Sequence, residues 1–299
     1  MVGSRMVSHP DSTSFEVHAP SSIELNLLNS DLVIDYIERL KPDCVIHLAG
    51  KVGGIQANIR DPQEFLCSNV LMGINVLRAC SDVGVTEVIN FGSSCMYPVE
   101  KDVPLSVESL FSGRLEPTNE AYAQAKLTVA MLAKYLDKLN GQSRFVTLIP
   151  CNLYGPGDHF ESNRSHLIAA IISKIHNAKL TGENLVEVWG SGDARREFLF
   201  VDDLVDCVWG IVDRGLSDFP AYVNIGCGFD RSVIDYYQIT SSVLGYEGRF
   251  VTDVSKPEGV QSKLIDSSWI NSWGWFPRTS IEEGLVATYD YFLGLGRNE

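Results

Sequence analysis

Tyr122 and Lys126 stand four residues apart in the segment PTNEAYAQAK, residues 117 to 126. With Thr118 or Asn119 as the cap of a helix, that spacing sets both side chains on one face, a turn apart. An ammonium held beside a phenol favours the phenolate and lowers the phenol pKa, which suits Tyr122 to give a proton to a carbonyl under reduction. Such a pair also occurs on many solvated helices, so it gains weight only from its surroundings. The segment GSSCMYP, Gly92 to Pro98, follows a strand-like run and carries Ser93, whose hydroxyl can share a carbonyl oxygen with Tyr122. Loops at the carboxyl ends of parallel strands are where α/β sheets hold their chemistry. Strand, serine, then a capped helix bearing Tyr and Lys is a far more specific pattern than any of its parts.

Positioning those groups requires a sheet. Short β-branched runs predict strands at FEVHA (15 to 19), CVIHLAG (44 to 50), EVINFG (87 to 92), RFVTLIP (144 to 150) and AYVNIG (221 to 226). Between them, helical periodicity predicts helices at Ser30 to Leu40, Pro62 to Val83, Asn119 to Leu139, Ser165 to Ala178 and Asp203 to Arg214. The alternation predicts an α/β fold, a doubly wound parallel sheet with helices on both faces. From Tyr154 onward the segments shorten and grow richer in Gly, Trp and Arg, which predicts a smaller substrate lobe and a cleft between two units.

Composition narrows the partners. A chain of 299 residues with 45% hydrophobic content can bury a substantial core. Its longest apolar runs, such as LIAAIIS from Leu167, fall short of the roughly 18 residues of a membrane span. MVGSRMVSHP carries no apolar signal segment, so a cytoplasmic location is the expectation. Seven cysteines, scattered singly, suit reduced thiols rather than a disulfide framework or a metal site. A net charge of -14 argues against nucleic acid and anionic membranes, so an anionic ligand must meet a local cluster of Arg and Lys.

Ser93, Tyr122 and Lys126 resemble the Ser-Tyr-Lys triad of the short-chain dehydrogenases. Four further segments, HLAGKVGGIQAN (47 to 58), NLYGPGDHFESNRSH (152 to 166), VWGSGDARREFLFVDD (188 to 203) and SKPEGVQSK (255 to 263), narrow the likeness to the GDP-L-fucose synthase family of extended short-chain dehydrogenase/reductases. The likeness runs from Met1 to the C-terminal region. It implies a Rossmann-type sheet domain binding NADPH (1–154 and 197–229), a GDP-sugar lobe (155–196 and 230–299), and a homodimer formed through helices 62–83 and 119–139. It also implies two reactions in one pocket: epimerisation of GDP-4-keto-6-deoxymannose at C3 and C5, then reduction at C4.

Both carbons flank the C4 ketone, so either proton leaves to give an enolate whose charge rests on O4, and donors at O4 serve every step. The resemblance assigns O4 to Ser93 and Tyr122, with Cys95 and His166 as the acid and base of epimerisation; a thiol serves as base where nearby positive charge favours its thiolate. It places the cofactor against Gly3, Ala49, Phe91, Gly92, Ser93, Ser94, Lys126, Pro150, Cys151, Asn152, Leu153 and His166. Substrate contacts map to Lys174, Trp189, Arg196, Arg249 and Lys263, a set of four cations and one indole suited to a diphosphate and a sugar or base.

The chain departs from the pattern at its start. Dinucleotide folds of this kind open with a strand and a glycine-rich turn that brings backbone to the pyrophosphate. MVGS matches only the end of that turn, with Gly3 as its third glycine; the strand, two glycines and a basic residue for the 2′-phosphate have no counterpart. His18 to Ser22 offers no Arg or Lys instead. The neighbouring strands are therefore expected to carry unpaired backbone and a groove. Two alternatives stay open: another nucleotide-sugar epimerase or reductase, or a catalytically idle homologue that binds nucleotide sugar.

Overall fold

The computed structural model describes residues 1–99, 102–139, 141, 144–161, 165–256 and 259–295; residues 162–164 and 257–258 of the segments quoted above lie outside them. In chain order the helices are α1 (Val2–Ser8), α2 (Ser30–Leu40), α3 (Ile55–Arg60), α4 (Pro62–Val83), α5 (Glu120–Leu139), α6 (Leu167–Thr181), α7 (Val201–Arg214), α8 (Val233–Leu244), α9 (Ser268–Ser272) and α10 (Ile281–Leu295). The strands are β1 (Cys44–His47), β2 (Glu87–Phe91), β3 (Arg144–Pro150), β4 (Asn152–Tyr154), β5 (Leu185–Trp189), β6 (Arg195–Arg196), β7 (Phe198–Phe200), β8 (Tyr222–Ile225), β9 (Arg231–Ser232), β10 (Arg249–Asp253) and β11 (Ser262–Lys263).

Local chemistry explains the helix ends. Asn29 caps α2 by accepting from the amides of Asp31 and Leu32, and Lys41 in the left-handed region closes it before Pro42. Pro62 opens α4, where a missing amide hydrogen costs nothing, and Gly84 ends it at φ 82°.

Strands β1, β2, β3 and β8 form one parallel sheet in that order. Successive side chains alternate between its faces. Val88 and Phe145 join Val33, Ile37, Val76, Leu77 and Val129 on the side of α2, α4 and α5, whereas Ile89 and Val146 join Leu204, Val208 and Ile211 of α7 on the other. The molecule is thus a doubly wound, Rossmann-type α/β sheet. A separate core of α6, α8 and α10, with the parallel pair β5–β10, builds the smaller C-terminal lobe.

The strand expected at 15–19 is not present. Residues 10–14 form a 3-10 turn, 15–20 are irregular, and Phe15 stacks on Trp209 at 5.1 Å. Among the described residues no strand pairs with the outer edge of β1, and the segment packs through Phe15 on α7 instead of joining it. Val45 and Ile46 of β1 stay half-buried, while Val88 and Ile89 of β2 are fully buried, as an open edge requires. The chain start is instead held from the other face. In α1, Arg5 forms a bidentate pair with Asp202 at 2.6 Å, and the Met6 carbonyl accepts from Trp209 Nε1 at 3.2 Å.

Helices α4 and α5 meet at Gly73, where an added Cβ would lie 2.4 Å from a Val129 methyl. Neither helix can retreat without uncovering the sheet. Gly73→Ala is therefore expected to cost about 2 kcal/mol through overpacking, read as a lower urea midpoint at unchanged slope; an unchanged midpoint would refute the close approach.

Candidate active site

The carboxyl ends of β1, β2 and β3 lie side by side, with His47 beside Asn90, Phe91 beside Leu148, and Pro150 beside Ile225. Just past them come Ala49, the Phe91–Ser94 turn and the Pro150–Leu153 stretch, which the fold thus aligns along one edge. Gly3, within α1, packs against Leu48 near the same edge. Gly92 extends the ladder by donating to the Leu148 carbonyl at 2.8 Å, and a Cβ there would meet Met96 Sδ at 2.8 Å.

Ser93 Oγ accepts from the Cys95 amide at 3.2 Å, capping the short turn Ser94–Met96, and it lies near enough to the Tyr122 phenol to lower its pKa in part. Helix α5 supplies Tyr122 and Lys126. The Lys126 ammonium is buried, donates to the Phe91 carbonyl at 2.9 Å, and is brought down to about 8 by desolvation. An ammonium has three hydrogens to donate, and that carbonyl takes one. No side chain stands at Gly50, where a Cβ would come within 3.6 Å of Nζ. A buried cation with donors to spare, beside a glycine where a Cβ would also crowd Asn69 Oδ1 at 3.2 Å, fits the ribose hydroxyls of a dinucleotide.

One sequence expectation is reversed. Lys126 does not lower the Tyr122 pKa: burial raises the phenol, nearby Cys95 adds to the rise, and Ser93 opposes it only in part. The ammonium lies 5.9 Å from the ring centroid and is engaged by Phe91. Tyr122 is consequently a protonated donor at neutral pH.

The sulfur of Cys95 receives Asn119 Nδ2 at 3.4 Å and Lys263 Nζ at 3.9 Å. Lys263, expected among the substrate contacts, therefore also reaches the thiol. Asn119 entered the sequence reading only as a cap; its position three residues before Tyr122, on the same helical face, was the available signal.

His166 is the N-cap residue of α6, yet its side chain makes no capping bond. The ring Nδ1 lies 3.3 Å from Asp158 Oδ1, and that hydrogen bond raises the imidazole above its ordinary pKa against the effect of burial. Asp158 was not singled out from sequence, although it lies inside the 152–166 segment.

Arg196 and Lys263 are neighbours in register on β6 and β11, and Arg231 lies opposite Arg196 on β9. Lys174 donates to the Glu187 carbonyl at 2.9 Å and sits 5.3 Å from the Trp189 ring centroid. Arg249 is not brought to this group. It pairs with Leu185, four positions along the ribbon from the Trp189–Asp253 pair, or roughly 13 Å at the usual strand rise. Glu197, fully buried and absent from the sequence reading, ties the cations in place. Its carboxylate accepts from the Gly228 amide at 2.8 Å and the Ile265 amide at 3.0 Å, and its carbonyl accepts from Asn152 at 2.9 Å.

Residues 1–226 match the NAD dependent epimerase/dehydratase family. The chain is 42% identical over 299 residues to the GDP-L-colitose synthase of Yersinia pseudotuberculosis, spanning 100% of this chain and 97% of that one. It is also 42% identical over 296 residues to the GDP-L-fucose synthase of Azorhizobium caulinodans, spanning 98% and 93%. Among solved structures it superposes on a GDP-D-glycero-L-gluco-heptose synthase of Campylobacter jejuni, determined in the presence of NADPH, with a TM-score of 0.87, 27% identity and coverage of 98% and 95%.

His47 is buried beneath the site, and burial, aided by the charge of Lys126, lowers its pKa to about 3. A histidine depressed in the fold is protonated first in the unfolded chain, so its contribution is complete above about 6.5 and is lost as pH falls toward 3. Denaturation at several pH values is expected to show wild type weakening below pH 6.5 and His47→Gln weakening less steeply. Parallel curves would remove His47 from the acid response.

Proposed function

The chain belongs to the NAD dependent epimerase/dehydratase family, and from that premise we propose that it epimerises GDP-4-keto-6-deoxy-D-mannose at C3 and C5 and then reduces C4 with NADPH to give GDP-L-fucose. The observation that carries this reading is the Cys95 sulfur, set two residues after Ser93 and met by Asn119 and Lys263. A reductase alone needs Ser93, Tyr122 and Lys126; a thiol with two nitrogen donors and a histidine paired to a carboxylate are additional acid–base equipment.

In this assignment Ser93 and Tyr122 donate to O4 and hold the enolate charge while Cys95 and His166 move protons at carbon. NADPH, when bound, supplies hydride to C4, and Tyr122, kept protonated by its environment, gives its proton to O4. Lys126 holds the ribose. Arg196 and Lys263 meet the diphosphate, with Trp189 and Lys174 at the nucleotide or sugar. Arg249, at the far end of its strand, serves a part of the ligand distant from Trp189. The nucleotide sugar lies between a cofactor domain of residues 1–154 and 197–229 and a substrate lobe of 155–196 and 230–299. The same 42% identity to a GDP-L-colitose synthase supports a second reading, in which a different GDP-linked sugar is the substrate.

We also assign the protein to the cytoplasm as a homodimer; no helix among the described residues is long and apolar enough to cross a membrane. Leu71 of α4 and Met131 and Tyr135 of α5 are exposed, which suits an interface formed by these two helices.

Incubation with GDP-4-keto-6-deoxymannose and NADPH in deuterated water is expected to yield reduced sugar with carbon-bound deuterium at C3 and C5. Tyr122→Phe should lower reduction by about 100-fold or more, and Cys95→Ala should abolish exchange. Reduction without exchange would show a C4 reductase without the epimerase step and refute this reading, whereas neither reduction nor exchange would point to the alternative substrate. For the dimer, light scattering should give twice the chain mass, falling to one chain in Met131→Asp; a wild-type monomer refutes the interface.

A further inference from the structure

We infer that Asp158 is a positioning residue for His166: its buried carboxylate fixes the ring with Nδ1–H toward Oδ1 and so presents Nε2 as the atom that gives a proton to the substrate carbon. The role in turnover rests on the epimerase reading above; the geometry of the pair does not.

Asp158 follows β4 in a loop turned by two glycines of positive φ, Gly155 at 143° and Gly157 at 89°. Its amide donates to the Gly155 carbonyl, and its side chain is only 3% exposed. Oδ1 accepts from the His159 amide at 2.8 Å and faces His166 Nδ1 at 3.3 Å, while Oδ2 is buried and has no partner among the described residues. A carboxylate buried with one oxygen unserved is costly unless a cation compensates it. His166 is the titratable group that the structure pairs with it. The loop that packs on Ser165 through Gly54 brings backbone there, and its Lys51 is paired with Glu64 at 2.9 Å. Against Gly157 lies the Met1 backbone.

The ring, in turn, depends on the carboxylate. At the N-terminus of the 15-residue helix α6, the helix dipole disfavours an imidazolium. A charge-assisted bond to a buried carboxylate outweighs that effect. His166 keeps 41% of its side chain exposed, so the ring remains open to a ligand. In the epimerisation, the enolate electron pair takes the Nε2 proton to form the new C–H bond. The neutral ring still donates Nδ1–H to Asp158 and regains its proton from water. A proton on the wrong nitrogen would leave Nε2 unable to donate.

The test uses the full chain labelled at histidine. NMR titration of wild type should place His166 above about 6.5, and Asp158→Asn should lower it. In deuterated water, exchange at C3 and C5 by Asp158→Asn should lose its activity at high pH first, with at least a 10-fold deficit at pH 8 and a smaller one at pH 6. A purely structural loss would depress exchange equally at both. Identical His166 titrations in the two proteins, or a uniform loss across pH, would overturn the proposal. If Asp158→Asn does not fold, the wild-type titration decides, since a value at or below 6.5 is incompatible with the pairing. Failure of wild type to exchange the substrate would refute the proposed function while leaving the titration to judge Asp158.

Discussion

The depth to which helix α5 settles into the sheet governs the rest of the site. Lys126 reaches the Phe91 carbonyl only because α5 lies close enough for a buried ammonium to bridge the gap. The close packing of α4 on α5 at Gly73 sets that distance from behind. Once Lys126 is seated, Tyr122, one turn earlier, falls beside Ser93, and Asn119 falls beside Cys95. A single helix therefore delivers the phenol, the cation and a thiol ligand, and the burial that lowers Lys126 is of the same origin as the burial that raises Tyr122.

A second constraint gathers the short cationic strands. Glu197 sits between the cationic strand β6 and the apolar strand β7, and its carboxylate is filled by backbone amides of the chain before β9 and after β11. Burial raises its pKa, with those amides opposing the rise. Its position explains why Gly226 has no side chain, since a Cβ would lie 2.4 Å from the carboxylate. Glu197 adds to the backbone ladder that holds the strand carrying Lys263 in register with Arg196, and Lys263 reaches across to Cys95.

The sheet edge at β1 shows how tertiary context overrides local preference. FEVHA has the alternation of a strand, but alternation only selects a face; hydrogen-bond partners make a strand. The outer edge of β1 stays unpaired among the described residues while Phe15 packs on Trp209, and the segment before it forms a helix and a turn. The short strands β6, β9 and β11 escape sequence reading for the opposite reason: two residues carry no period, and only long-range partners define them.

What the sequence by itself determined is the part encoded locally. Helices α2 and α4 begin and end where their caps, prolines and glycines place them, the four strands of the main sheet follow their apolar runs, and the order of Ser93, Tyr122 and Lys126 marked the turn and helix of the candidate site. What the tertiary structure alone decided is the set of contacts between residues distant in sequence: Lys263 beside a cysteine 168 positions away, and Glu197 as the tie between strands. The Tyr122 phenol shifts upward rather than downward for the same reason. Spacing along a helix tells which side chains share a face, but their charge states depend on desolvation and on partners supplied by the whole fold.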